Sequence, residues 1–93
     1  MDKKKITIVR KKLDKLDNKI LLLIKKRTIL VNEVIKIKTS KKQIVDRARI
    51  KKVLQNIKKK SIRIKVDHKV TNAIWSAMIK SYINYEKRKF NKK

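Results

Sequence analysis

The chain has 93 residues and a formal net charge of +24, and it contains no Gly, no Pro and no Cys. A chain of this length forms a single domain, 1–93, that buries only about 60 to 65% of its unfolded surface, so we expect a second copy to complete its core. Without Cys, the chain can form neither a disulfide nor a thiolate metal site. The single His68 cannot form a zinc site with the scattered carboxylates, so we expect chemistry without a cofactor. The apolar runs fall far short of the ~20 residues that span a membrane, which predicts a cytoplasmic protein.

The positive charge admits two interpretations. Clusters of Lys and Arg bind phosphate by releasing counterions, which would suit a non-enzymatic, basic helical protein that binds nucleic acid. However, the cations are spread along the whole chain, aromatic residues are few, and no nucleic-acid-binding motif is present. We therefore favour solvated lysines on outer faces, and we expect at most non-specific binding of nucleic acid.

The first predicted element is a long helix from about Ile6 to Lys38. Its apolar residues recur at spacings of three and four, apart from a gap at Arg27, and so form one face: Val9, Leu13, Leu16, Ile20, Leu23, Leu30 and Val34. At ~1.5 Å per residue such a helix is about 50 Å long, whereas a compact domain of this size has a radius of gyration near 13 Å. The helix is therefore predicted to pair with another chain.

Two further helices are predicted after a break at residues 39–42. Asp46 is suited to cap a second helix that ends at about Lys58, where a basic loop is expected to begin. Asp67 is suited to cap a third helix from His68 to about Arg88. The inward positions of these helices are Ile50, Val53, Leu54, Ile57, Thr71, Trp75, Met78, Tyr82 and Glu86. The sequence thus predicts an all-α fold with a long, a short and a medium helix.

Charged residues on these inward faces are the candidates for a site. Arg27, Lys38 and Glu86 occupy positions whose neighbours one turn away are apolar. Arg27 and Lys38 could reach the surface or pair with a carboxylate of another chain, but only seven acids accompany thirty-one Lys and Arg. An anionic ligand would supply the missing charge, and Arg suits a carboxylate. Glu86 is either an acid or acceptor in such a site, or one half of a salt bridge with a Lys.

The order of these residues resembles the all-helical chorismate mutases along nearly the whole chain. The positions that carry the resemblance are Arg10, Leu16-Asp17, Arg27, Lys38, Asp46-x-x-Arg49, Trp75-x-x-Met78-Ile79 and Glu86. The resemblance implies an intertwined homodimer that rearranges chorismate to prephenate, without a cofactor, in aromatic amino acid biosynthesis. It also implies a set of site residues: Arg10 from the other subunit, Arg27 and Arg49 on the carboxylates, Lys38 and Glu86 on the ether oxygen, and Asp46 on the ring-hydroxyl side. Lys38, Glu86 and Arg27 would be catalytic.

Three departures from the family pattern leave the reaction open. Ile50 stands where mutases carry a glutamate that binds the ring hydroxyl, and Tyr82 stands where many carry a small hydroxyl residue. Both are similar to the isochorismate pyruvate lyases, a sister branch that forms salicylate and pyruvate, so Ile50 and Tyr82 join the candidate substrate-binding residues. Glu86 replaces a more common glutamine. A carboxyl group stabilises a developing oxyanion only when it is protonated, so mutase activity is expected to rise at acidic pH.

Overall fold

The computed structural model describes residues 2–90, and its regular elements are all helical. Helix α1 spans Lys3–Ile37, a 3-10 turn spans Lys41–Gln43, α2 spans Arg47–Arg63 and α3 spans His68–Phe90. The helices contain 35, 17 and 23 residues, which confirms the predicted all-α chain with a long, a short and a medium helix. No helix within residues 2–90 combines the length and apolar character needed to span a membrane.

The chain divides into two units between Glu33 and Val34. The first unit contains α1 as far as Glu33, and the Asp2 carboxylate accepts hydrogen bonds from the first-turn amides of Lys4 and Lys5 at 3.0 and 3.1 Å. The predicted apolar face is exposed along this unit, with Val9, Leu13, Leu16, Ile20, Leu23 and Leu30 each at 50 to 61%. An amphipathic helix gains most of its stability by burying its apolar face, and this face is therefore suited to pack against another apolar surface.

The second unit consists of the end of α1, the 3-10 turn, and the α2–α3 hairpin. Its buried apolar residues are Ile35, near the end of α1, and Ile44, just after the 3-10 turn. The inward positions predicted for α2 and α3 are half-buried, except Glu86, which is buried. This unit contains Lys38 and Glu86, two of the candidate site residues, whose side chains meet.

Helix α2 is longer than predicted, because the expected loop from Lys58 onward is helical as far as Arg63. Lysine has a good helix propensity, and no Gly or Pro interrupts this stretch. The inward face also continues from Ile57 to Ser61, which is buried. The Ser61 hydroxyl donates to the Ile57 carbonyl at 2.6 Å, and its oxygen lies 2.7 Å from the hydroxyl oxygen of Thr71 on α3. This hydroxyl pair links the two helices where the sequence suggested a loop.

The turn between α2 and α3 depends on Lys65, whose φ is 61°. The amide of Val66 donates to the Ser61 carbonyl at 2.9 Å, and the amide of Lys65 donates to the Ile62 carbonyl at 3.1 Å. This is the hydrogen-bond pattern of a Schellman motif, which normally carries Gly at the left-handed position. Because the chain has no Gly, a lysine with a Cβ adopts this unfavourable conformation.

Replacing Lys65 with Gly is therefore expected to raise the free energy of unfolding by about 0.5 to 1 kcal/mol. The gain is the relief of the Cβ clash less the extra chain entropy of Gly in the unfolded state. Urea denaturation followed by circular dichroism measures it, and Lys59→Gly, within α2, is the matched control that should destabilise the chain by a similar amount. An unchanged or lower stability for the Lys65 variant would contradict this account.

Candidate active site

Lys38 and Glu86 meet in the second unit although 48 residues separate them in sequence. Lys38 directly follows α1, where its backbone amide donates to the Val34 carbonyl at 3.1 Å, and Glu86 lies in the last part of α3. The Lys38 ammonium donates to Glu86 Oε1 at 3.3 Å, and their side chains are only 19% and 10% exposed. Removing two charges from water costs free energy that their attraction does not always offset, so a largely buried ion pair is weak evidence for a stabilising role. The pair is therefore a candidate functional site.

The turn after Lys38 is stabilised by the Gln43 side chain. Its Oε1 accepts hydrogen bonds from the backbone amides of Thr39 and Ser40, at 2.6 and 3.3 Å. The next residue, Ile44, is buried and anchors the turn in the core. Gln43 thus fixes the backbone immediately after Lys38 and acts as a positioning residue. The sequence interpretation missed it, although the Ser40-x-x-Gln43 spacing is that of a capping box.

Glu86 is positioned by the inward face of α3. Tyr82 lies one turn before it and is half-buried, and its ring meets the ring of Tyr85 edge-on, with centroids 6.3 Å apart. The cationic groups of Arg88 and Lys89 lie 6.0 and 5.7 Å from the Tyr85 ring centroid. Tyr82 therefore lies one turn before Glu86 and packs against Tyr85. The last turn of α3, which follows, is cationic.

Three candidate residues lie at the start of α2. The Asp46 carboxylate caps the helix by accepting a hydrogen bond from the Arg49 amide at 3.0 Å, and both residues are exposed. Ile50 is half-buried on the inward face of the helix. Because a carboxylate has two oxygens with several acceptor sites, this cap leaves Asp46 chemically able to accept a substrate hydroxyl as well.

Arg10 and Arg27 belong to the first unit. Arg10 is exposed on α1, and Arg27 is half-buried in the apolar face that the sequence pattern outlined. Their guanidinium groups suit carboxylates.

The described part of the second unit contains a cation, Lys38, and an acid, Glu86, that can form hydrogen bonds with a ligand. Lys38 can donate to an oxygen that gains negative charge, and Glu86 can do so when protonated. Within residues 2–90, no group of three His, Asp or Glu residues is arranged to hold a metal ion. The arrangement therefore suits the recognition and electrostatic stabilisation of an anionic ligand.

Comparison with known proteins identifies the family of the chain. The family model for chorismate mutase type II matches residues 9–87, which extends from the first half of α1 to nearly the end of α3. No curated protein and no solved structure matches the chain. The match confirms the resemblance drawn from Arg10, Arg27, Lys38, Arg49 and Glu86, all of which fall within it. The chain belongs to the chorismate mutase type II family.

Proposed function

We propose that the protein is a chorismate mutase that rearranges chorismate to prephenate. The observation that supports this most directly is the pairing of Lys38 with the buried Glu86. The rearrangement is pericyclic: the ether carbon–oxygen bond breaks as a carbon–carbon bond forms, and no nucleophile is required. The protein therefore has to supply shape and fixed charge, and a half-buried ammonium beside a protonatable carboxyl group supplies the charge.

Lys38 and Glu86 act on the ether oxygen in this proposal. Negative charge grows on that oxygen as its bond to carbon lengthens, and a donor already in place stabilises it without reorganisation. Arg27 and Arg49 bind the two substrate carboxylates together with Arg10 and hold the substrate in its reactive conformation. Asp46 faces the ring hydroxyl. Ile50 and Tyr82 complete the walls of the site.

The proposal includes a homodimer. The exposed apolar face of α1 in the first unit is the observation that supports it, since an antiparallel copy of the same face would cover these residues. Arg10, near the N-terminal end of that helix, then enters the site of the partner subunit. Each site is completed by one residue from the other chain, so the dimer is the active form.

Isochorismate pyruvate lyase is the second candidate function. The half-buried Ile50 favours it, because this inward position of α2 offers no polar group to bind the ring hydroxyl of chorismate. Tyr82, one turn before Glu86 on α3, is the other residue that departs from the mutase pattern toward the lyase. The same cations would then bind the carboxylates of isochorismate while pyruvate is eliminated and salicylate remains.

A paired assay distinguishes these functions. Purified protein is incubated separately with chorismate and with isochorismate, and prephenate and salicylate are followed from mildly acidic to neutral pH. Prephenate that forms on the wild type but not on Lys38→Ala supports the mutase, and salicylate supports the lyase. If neither product forms under conditions in which the protein is folded and dimeric, both enzymatic proposals fail.

Ile50→Glu is expected to raise kcat/KM for chorismate at least about tenfold. The new carboxylate accepts a hydrogen bond from the ring hydroxyl, and a charge-assisted hydrogen bond contributes about 1.5 to 3 kcal/mol. Steady-state kinetics on chorismate measure the change, and Ile50→Gln is the matched neutral control, with a smaller gain. An Ile50→Glu variant that folds but turns over chorismate no faster would show that hydroxyl recognition does not limit the wild type.

Glu86→Gln is expected to increase the rate at neutral pH and to remove its dependence on pH. In the wild type the rate should rise as the pH falls, because Glu86 donates to the ether oxygen only after it gains a proton, whereas Gln donates at every pH. Profiles of kcat between about pH 5 and 8 test this. Glu33→Gln, at an exposed position on α1, should keep the wild-type profile. A flat wild-type profile would refute the requirement for a protonated Glu86.

A further inference from the structure

The outward face of α2 carries a concentrated row of cations. At about 100° per residue, Lys52, Lys59 and Arg63 fall within about 40° of one another, on the side of the helix opposite the buried Ser61. All three are exposed. We call these three residues the basic ridge, and the exposed Lys51 and Lys58 flank it on one side.

The basic ridge lies in a stretch of chain without acidic residues. From residue 47 to residue 66 the sequence contains no acid. The acids at either end are engaged locally, since Asp46 accepts from the Arg49 amide and Asp67 accepts from the Lys69 amide at 2.8 Å. The ridge therefore presents uncompensated positive charge, which raises the local concentration of polyanions.

The spacing and chemistry of the ridge indicate the kind of polyanion. At 1.5 Å per residue, Lys52 and Arg63 lie about 16 Å apart along the helix axis, and a nucleic-acid duplex carries one negative charge per ~1.7 Å of its axis. The ridge thus spans several phosphates. Trp75 is half-buried on α3, away from the ridge, so the ridge lacks the aromatic platform on which unpaired bases stack.

We propose that the basic ridge of α2 binds the phosphate backbone of double-stranded nucleic acid without reading its sequence. The interaction is independent of catalysis, because none of the three ridge residues belongs to the proposed active site. Such binding would retain the enzyme on nucleic acid. It would also give a function to part of the net charge, namely the cations on the outward face of α2.

The test compares two triple variants that lose the same charge. One replaces the ridge residues, as Lys52→Gln, Lys59→Gln and Arg63→Gln. The control replaces Lys69, Lys80 and Lys87 with Gln; these exposed residues share one face of α3 but are spread over a longer stretch. Binding to a mixed-sequence duplex of about 20 base pairs is measured by fluorescence anisotropy over a range of salt concentrations.

The ridge variant is expected to bind the duplex at least about tenfold more weakly than the wild type. The slope of log K against log salt should fall in magnitude by about 2 to 3, since each lost phosphate contact reduces the magnitude of this slope by ~0.9. The control should change both quantities much less. A third variant, Lys52→Arg with Lys59→Arg, keeps the charge and should bind like the wild type. Equal weakening in the ridge and control variants, or no binding by the wild type at about 0.1 M salt, would overturn the proposal. An unchanged circular dichroism spectrum and an unchanged thermal unfolding midpoint would show that the ridge variant is folded.

Discussion

Lys38→Ala is expected to lower kcat/KM for chorismate at least a hundredfold. Removing one preorganised donor to a developing oxyanion typically costs about 10² to 10³ in rate, and a half-buried ammonium is a stronger donor than a neutral amide. The loss should fall mainly on kcat, because the ether oxygen gains its charge in the transition state and not in the bound substrate. Steady-state kinetics with chorismate measure both parameters.

Two further variants separate this effect from damage to the fold. Lys36→Ala removes an exposed lysine two residues earlier and should leave the rate nearly unchanged. Lys38→Gln keeps a donor to the buried Glu86 while removing the charge, so it should fold like the wild type and still lose most of the activity. A Lys38→Ala variant as active as Lys36→Ala would remove Lys38 from the catalytic site.

The periodicity of the sequence predicted the inward faces of α2 and α3, but not which residues meet. The burial of Glu86 could be predicted because it continues the spacing of Trp75, Met78 and Tyr82 on α3. Periodicity alone could not predict its pairing with Lys38, since a periodic pattern defines a face of one helix and contains no information on the partner 48 residues away; only the family resemblance placed both residues at the same substrate atom. That partnership depends on the tertiary fold.

The turn from α2 to α3 shows a different limit of sequence interpretation. The run from Lys58 to Lys60 suggested a loop, but its residues are good helix formers. The sequence signal that the helix continues is the four-residue spacing from Ile57 to Ser61, which is buried in the structure. The helix ends where Lys65 adopts a left-handed conformation. Nothing in a lysine marks such a position, because Gly and Asn are the residues that favour it.

Mixing two inactive variants, Arg10→Ala and Lys38→Ala, is expected to restore about a quarter of the wild-type activity. If Arg10 enters the site of the partner subunit, a hybrid dimer has one site with both defects and one site with none. Random exchange of subunits makes about half of the dimers hybrid, and each hybrid has one intact site. The measurement is prephenate formation after the two variants are unfolded together and refolded.

The alternative arrangement gives an opposite result. If Arg10 served the site of its own chain, every site in the hybrid would carry one defect and no activity would return. A mixture of Arg10→Ala with the double variant Arg10→Ala/Lys38→Ala is the matched control, since none of its dimers contains an intact site. Adding Leu16→Asp to both chains should abolish the recovery, because a charge in the exposed apolar face of α1 prevents that face from being buried between subunits. If activity still recovers when both chains carry Leu16→Asp, the subunits do not meet at the apolar face of α1. Arg10 would then reach the site of the partner subunit by a different contact.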